Sequence, residues 1–269
     1  MHFLRGLADL VTVVGLALLV SALVRKLPET PAIIISGAAL IGLYYVGNRW
    51  IERRHPRELD FNRLPGALLG FLLGTAIFSL MMGVLWLLKS YQPTECCRTA
   101  VLATAILPSF LTGLFEETIF RGFLFRLIEN LGGRWTALAI TSALFGGVHL
   151  LNPHSTIWGA IAIAVEAGIL LGAAYSATGS LWLAVGIHAG WNYAEGSLFG
   201  AVLSGHEVRG FTQAAMHGST ALTGGAFGPE NSVPAVIVCL ITASFFLRKM
   251  LRPKQTPAQP AGSFHPHSE

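Results

Sequence analysis

Residues 107–127 read LPSFLTGLFEETIFRGFLFRL. Two adjacent carboxylates, Glu116 and Glu117, and Arg121 stand inside an otherwise almost wholly apolar run, Leu107–Phe115 before them and Gly122–Leu127 after. Charge at membrane depth is costly, is usually paired, and marks a functional site by default. Adjacent helical residues point about 100° apart, whereas residues four apart share a face. Arg121 therefore neighbours Glu117 and compensates it. Glu116 lies off that face and is left unpaired, toward the interior. An unpaired carboxyl taken out of water holds its proton more readily, as a general acid or base working near neutral pH must. A structural salt-bridge cluster joining two helices is the competing reading of this stretch.

Composition places the run in a membrane. Of 269 residues 53% are hydrophobic and 12% charged, and the mean hydropathy is +0.59. Soluble domains carry about 25% charged residues. Apolar segments follow one another at Leu7–Val24, Pro31–Val46, Pro65–Leu88, Thr99–Ile128 (interrupted by Pro108), Trp135–Leu151, Ile157–Ser176, Leu181–Leu198 and Val233–Leu247. A crossing helix needs about 20 residues, so the expected fold is an all-α, polytopic membrane bundle of about eight helices. The first run loosely resembles a signal peptide at Val20-Ser21-Ala22, but the spans that follow favour an uncleaved helix.

Orientation follows from Lys and Arg. With both termini in the cytoplasm, the inside collects Arg5, Arg49, Arg53, Arg54, Arg57, Arg63, Arg121, Arg126, Arg134, Arg248, Lys249, Arg252 and Lys254, 13 cations. The outside keeps five, Arg25, Lys26, Lys89, Arg98 and Arg209. The net charge of +4 thus belongs to cytoplasmic loops, and no basic run with interleaved aromatics suggests nucleic acid. Cys96, Cys97 and Cys239 form neither a disulfide framework nor a CxxC pattern. The small residues of the sixth span, among them Gly159, Gly168 and Gly172, are read as helix-packing positions.

Two further spans carry polar residues at helical spacing. Phe145-Gly146-Gly147-Val148-His149 puts Phe145 and His149 on one face, with glycines opening space beside them. His188-Ala189-Gly190-Trp191-Asn192 aims a histidine and an amide at one spot. One carboxylate, two histidines and one amide on three spans can hydrolyse an amide. A carboxylate–His pair takes a proton from water, and His with Asn donates to the oxyanion. Glu116, His149 and His188 also form a His, His, Glu set, known from catalytic zinc sites. No cofactor is called for, and a zinc-dependent version stays open.

Glu116-Glu117-x-x-x-Arg121, Phe145-x-x-x-His149 and His188-x-x-x-Asn192, in this order, resemble the three motifs of the CPBP family. This family comprises the CAAX prenyl proteases of the Rce1 type and their bacterial relatives, also called Abi or bacteriocin-processing proteins. Leu151-Asn152-Pro153, Thr178–Leu183 and Leu222–Glu230 look like bacterial members as well. The resemblance spans roughly residues 100–250. It implies a glutamate-dependent intramembrane endopeptidase of a bacterial inner membrane, both termini cytoplasmic. Glu116 and His149 would activate water, His188 and Asn192 would stabilise the oxyanion, and Glu117, Arg121 and Phe145 would support them. The implied partners are the lipid bilayer and a membrane-embedded or lipid-anchored protein or peptide, cut near its C-terminus. The rival class is a transporter or bacteriocin-immunity protein that binds a peptide without cutting it.

The chain divides into an N-terminal part with three spans and a basic loop (1–98), a catalytic core (99–250) and a disordered tail (251–269). Glu166 matches no motif and reads as a structural hydrogen-bonding group, Asp9 as a membrane-edge residue, His206 and His217 as solvated, Glu230 as a cap or loop anchor, and Trp182 and Trp191 as ordinary aromatics. Counted from the outer helix ends, Glu116 and His149 differ in depth by roughly 15–20 Å, which a break near Pro108 would relieve.

Overall fold

The computed structural model describes residues 2–96 and 99–251. Cys97, Arg98 and the expected tail from residue 252 onward lie outside them. The elements in order are α1 (His2–Val24), α2 (Glu29–Gly47), α3 (Pro65–Leu87), β1 (Tyr91–Cys96), α4 (Thr99–Thr104), α5 (Ile106–Glu117), α6 (Arg126–Val148), α7 (Ile157–Ile163), α8 (Leu170–Thr178), α9 (Leu181–Asn192), β2 (Thr212–Met216), α10 (Thr220–Thr223) and α11 (Val233–Met250). Four π-helical segments continue helices, at Asn48–Glu52, Thr118–Phe125, Ala164–Ile169 and Tyr193–Leu198.

The expected polytopic helical bundle is what the chain forms. Among the described residues six helices are long and apolar enough to cross a membrane: Phe3–Val24, Glu29–Glu52, Phe61–Leu87, Thr99–Leu151, Ile157–Thr178 and Val233–Met250. The count of eight is not established by these six. The expected fourth and fifth spans fall within Thr99–Leu151, where Gly133 leaves helical geometry at φ 79° and ψ 170°. The expected seventh, α9 with its π-helical continuation, is not one of the six.

The closest helix contact lies between α3 and α9. An added Cβ at Gly70 would lie 2.5 Å from Leu183 O, and one at Gly74 2.0 Å from Ile187 O. On the facing side, Cβ atoms at Gly186 and Gly190 would lie 2.2 Å from Ala67 O and 2.1 Å from Phe71 O. Each helix thus presents two glycines four apart, the small-xxx-small arrangement that lets backbones touch. The Thr75 hydroxyl crosses the same seam to Gly190 O at 3.2 Å. The small residues of α7 and α8 pack as expected, and an added Cβ at Gly168 would lie 2.8 Å from Ser142.

The N-terminal helices are tied to the core by charge. Arg126 grips Glu52 with two bonds, 2.6 and 2.5 Å. Arg54 grips Glu58 at 2.6 and 3.0 Å. The buried Tyr44 hydroxyl donates to Glu58 and also lies 2.9 Å from Gly122 O, on the π segment after α5. Burial alone would push the Glu58 carboxyl up, but the Arg54 bond and charge and the Tyr44 hydroxyl hold it below the usual carboxylate range. Asp9 is fully buried in this region; Gly47 leaves room for its carboxylate. Two loop arginines read as orientation signals have structural partners as well. Arg54 sits in this cluster, and Arg63 donates to the α8 carbonyl ends Thr178 O (3.1 Å) and Gly179 O (2.6 Å).

The long segment before α11 has a defined path. β2 pairs antiparallel with β1, Tyr91 opposite Met216. Gly205 N bonds Phe227 O at 2.7 Å, Trp158 Nε1 bonds Asn231 O at 3.1 Å, and the Ser232 hydroxyl caps α11 by accepting from Ala235 N. Gly228 has φ 128°, and an added Cβ there would lie 2.2 Å from Val202 O. Only glycine fits that approach. The result is that Pro229–Asn231 turns inward.

Candidate active site

The first motif sits where α5 passes into the π-helical segment Thr118–Phe125, a form often found at functional sites because it shifts side-chain directions and frees carbonyls. Arg121 Nη1 donates to Glu117 Oε1 at 2.8 Å, and both side chains are fully buried. The sequence expectation of that pair is met. The other arm of Arg121 reaches the carbonyls of Ala167 (3.0 Å) and Gly168 (3.1 Å), within the π segment Ala164–Ile169. Its guanidinium also stacks 4.7 Å over the Phe145 ring.

Compensation by Arg121 is only half of what Glu117 does. The same oxygen, Oε1, accepts from His188 Nδ1 at 2.9 Å. A carboxylate can only accept, so Nδ1 carries a proton and the ring is fixed with Nε2 inward. That Nε2 lies 3.9 Å from Glu116 Oε2. Glu116 is off the Arg121 face, as its position in the helix requires, and lines the cavity.

His149 stands at the end of α6, where its Nδ1 bonds the carbonyl of Phe145 at 2.7 Å. Here too the partner can only accept, so Nδ1 holds the proton and a neutral ring keeps a basic lone pair on Nε2. Phe145, almost fully buried, lies 4.9 Å from the His149 ring and 6.1 Å from that of His188. It spaces the two histidines and covers Arg121. The flanking glycines divide the labour: a Cβ on Gly146 would strike Ala160 O at 2.0 Å, whereas one on Gly147 meets nothing within 4 Å.

Glu116, Phe145, His149, His188 and Asn192 line one cavity of about 320 Å³. Among the described residues no hydrogen bond joins the His188 and Asn192 side chains, and Asn192 lines the cavity. The long fourth span is interrupted at Ala105, between α4 and α5, rather than at Pro108. Pro108 is the third residue of α5, where no intrahelical N–H bond is required. The His, His, Glu set is not arranged as a metal site: among the described residues no group of three or more His, Cys, Asp or Glu side chains is placed to hold an ion.

The same cavity holds residues assigned otherwise from sequence. Glu166, read as a structural hydrogen-bonding group, lines it, and Oε2 has no partner among the described residues. Glu230, read as a cap or anchor, lines it too, carried in by the turn at Gly228. His206 is exposed as expected, yet sits at the cavity wall, and His217 is simply exposed. Glu195 escaped notice in the sequence. It follows Asn192 by three positions, is fully buried, and takes a 3.0 Å bond from Trp191 Nε1. Its spacing from Asn192 was the available signal.

A family model described as type II CAAX prenyl endopeptidase Rce1-like matches residues 98–194. The resemblance drawn from the three motifs is thereby borne out over that segment, which contains Glu116, Glu117, Arg121, Phe145, His149, His188 and Asn192 and stops short of Glu195 and Glu230. No curated protein and no solved structure matches the chain. The six apolar helices and this family match make the chain a multi-pass membrane protein, and the chemistry the family implies is peptide-bond hydrolysis.

Proposed function

We propose that this protein is an intramembrane endopeptidase that hydrolyses a membrane-embedded or lipid-anchored protein or peptide near its C-terminus. The observation that carries the reading is the convergence of Glu116, His149, His188 and Asn192 on one cavity, with both histidines committed through Nδ1 and open through Nε2.

Water held between Glu116 and the Nε2 of His149 loses a proton to this pair as its oxygen attacks the scissile carbonyl. The carbonyl oxygen becomes an oxyanion and takes donors from the Asn192 amide and from His188 Nε2. Because His188 Nδ1 already donates to Glu117, donation from Nε2 requires both ring protons. Arg121 and Glu117 act through His188 as positioning residues, and Phe145 holds the two rings apart. The proton gained from water passes to the leaving amine, and carboxyl and amino products result without a covalent enzyme intermediate. The excess of Lys and Arg on one side favours cytoplasmic termini, in a bacterial inner membrane.

The test is cleavage by purified Glu116→Ala and His149→Ala variants that accumulate normally in the membrane. Each is expected to lose at least about 10²-fold in rate, the usual contribution of general acid–base catalysis. Undiminished cleavage by either variant would sink the reading. Loss of wild-type activity on strong chelation, restored by Zn²⁺, would replace it by a metal-dependent one. Mass spectrometry of peptides accumulating in the Glu116→Ala strain names the substrate. A bound but uncut peptide in wild type would favour a non-proteolytic carrier or immunity protein.

A further inference from the structure

Beyond Glu116, the cavity has an acidic wall that the proposed hydrolysis does not use. Glu166 comes from the π segment after α7, Glu195 from the π segment after α9, and Glu230 from the turn before α11. All three are at most 5% exposed. Glu166 and Glu230 face the cavity directly, and Glu195 stands close behind, its Oε1 3.5 Å from where a Cβ on Gly228 would lie. Glu166 Oε2 is buried with no hydrogen-bond partner among the described residues, while Glu195 and Glu230 face each other within hydrogen-bonding reach and Glu230 also meets Ser204. Buried polar atoms are nearly always satisfied, and an orphan costs about 1–3 kcal/mol.

Among the described residues no lysine or arginine pairs with these carboxyls, although His149 lies within electrostatic range of Glu230. The cavity lining includes no lysine or arginine. The nearby Arg121 is spent on Glu117 and on the Ala167 and Gly168 carbonyls. The histidines of the wall face other work: His149 and His188 in the proposed reaction, His206 at the exposed edge. Next to Glu166 the lining turns aliphatic, with Ile163, Leu170 and Leu171. An aliphatic surface leading to acidic groups without an arginine or lysine partner is complementary to one kind of side chain, a methylene stem with a cationic head. An ammonium brings three donors and a guanidinium five.

We propose that this wall is a subsite for a lysine or arginine side chain of the substrate, held by Glu166 and Glu230 with Glu195 behind them. The assignment rests on the proteolytic reading for the word substrate, but the binding chemistry does not. It adds a specificity to that reading: the bond cut lies within a side chain's reach of a basic residue, in a segment otherwise apolar enough to enter the bilayer.

The test separates the two. Calorimetric titration of the detergent-solubilised full chain uses n-pentylguanidinium as probe and n-pentylurea as its neutral isostere. The guanidinium is expected to bind saturably and at least tenfold tighter than the urea, and to lose at least tenfold in a Glu166→Gln/Glu230→Gln double variant. Equal affinity for both probes, no saturable guanidinium binding, or an unchanged affinity in a folded double variant would overturn the subsite. If the double variant fails to accumulate, Glu166→Gln alone is expected to lose severalfold. A second arm scans quenched-fluorescent peptides in micelles, comparing arginine, lysine and norleucine at each position. One position is expected to favour the basic residues at least tenfold in kcat/KM, and Glu166→Gln to shrink that ratio. Cleavage without any basic preference rejects the subsite alone. Guanidinium binding in a protein that cuts no peptide rejects the protease and leaves the subsite standing.

Discussion

Two buried charge clusters in this molecule are built on opposite rules. At the junction of α1 and α2 with the core, Glu52, Arg54, Glu58 and Arg126 are matched acid to base, at 2.5–3.0 Å, and Tyr44 ties them to the backbone at Gly122. In the cavity and just behind it, Glu116, Glu166, Glu195 and Glu230 have no arginine or lysine partner among the described residues, and Glu166 keeps an orphan oxygen. Both sets cost desolvation energy. The first recovers it within the fold for these four residues, although Asp9 beside them keeps both carboxyl oxygens without a hydrogen-bond partner among the described residues. The second does not, and a charge the fold leaves uncompensated is one it holds ready for something else. Arg121–Glu117 stands between the two, internally matched yet bonded to His188.

That intermediate pair gives the largest expected effect. Arg121→Met leaves Glu117 fully buried without its cation, a loss of about 3–5 kcal/mol. Membrane accumulation should fall steeply, and Arg121→Met/Glu117→Gln should restore it. Activity should stay low in the double variant, because His188 loses its carboxylate acceptor; recovery of both would make the pair purely structural. In the matched cluster, Glu58→Ala should cost about 2–3 kcal/mol, read as a lowered thermal midpoint, while cleavage per folded molecule is unchanged. A selective loss of cleavage would break the contrast between the clusters.

The matched cluster also predicts a pH response. The Glu58 carboxyl is held below its ordinary value of 4.5 in the folded protein. A depressed carboxyl contributes stability that is present above the unfolded value and is lost as pH falls through the folded one. The midpoint gap between wild type and Glu58→Gln should therefore be full near neutrality and close progressively below pH 4.5. A gap that widens in acid would reverse the assignment. The smallest effect has the opposite sign. Glu230→Gln removes a charge from an uncompensated wall and should raise the midpoint by a few degrees, about 1 kcal/mol. A fall would mean that Glu230 is a structural anchor after all.

What the sequence made legible was local. Glu117 and Arg121, four apart, declared their contact through helical geometry, and so did Phe145 with His149. The bond from Glu117 to His188 joins residues 71 apart, and no periodicity encodes it; only the resemblance put both at one site. That Glu230 also lines the cavity was not legible, because a glycine- and serine-rich segment carries no period from which to infer direction. Its inward turn depends on the close approach of Gly228 to Val202 O and on the Gly205–Phe227 and Trp158–Asn231 bonds, which are set by packing. The span count is left open where the fourth and fifth spans meet, since Gly133 interrupts α6 by backbone angle rather than by composition.

The glycine seam between α3 and α9 bears on where this protein could be cut. All seven motif residues fall within 98–194, and a gene fragment confined to that segment would encode them all. It would also strip α9 of the helix on which Gly186 and Gly190 rest, leaving two backbone notches open to lipid on the helix that carries His188 and Asn192. The three motifs are therefore not a portable module. The first 95 residues, mute as to chemistry, are the mould in which the site is cast.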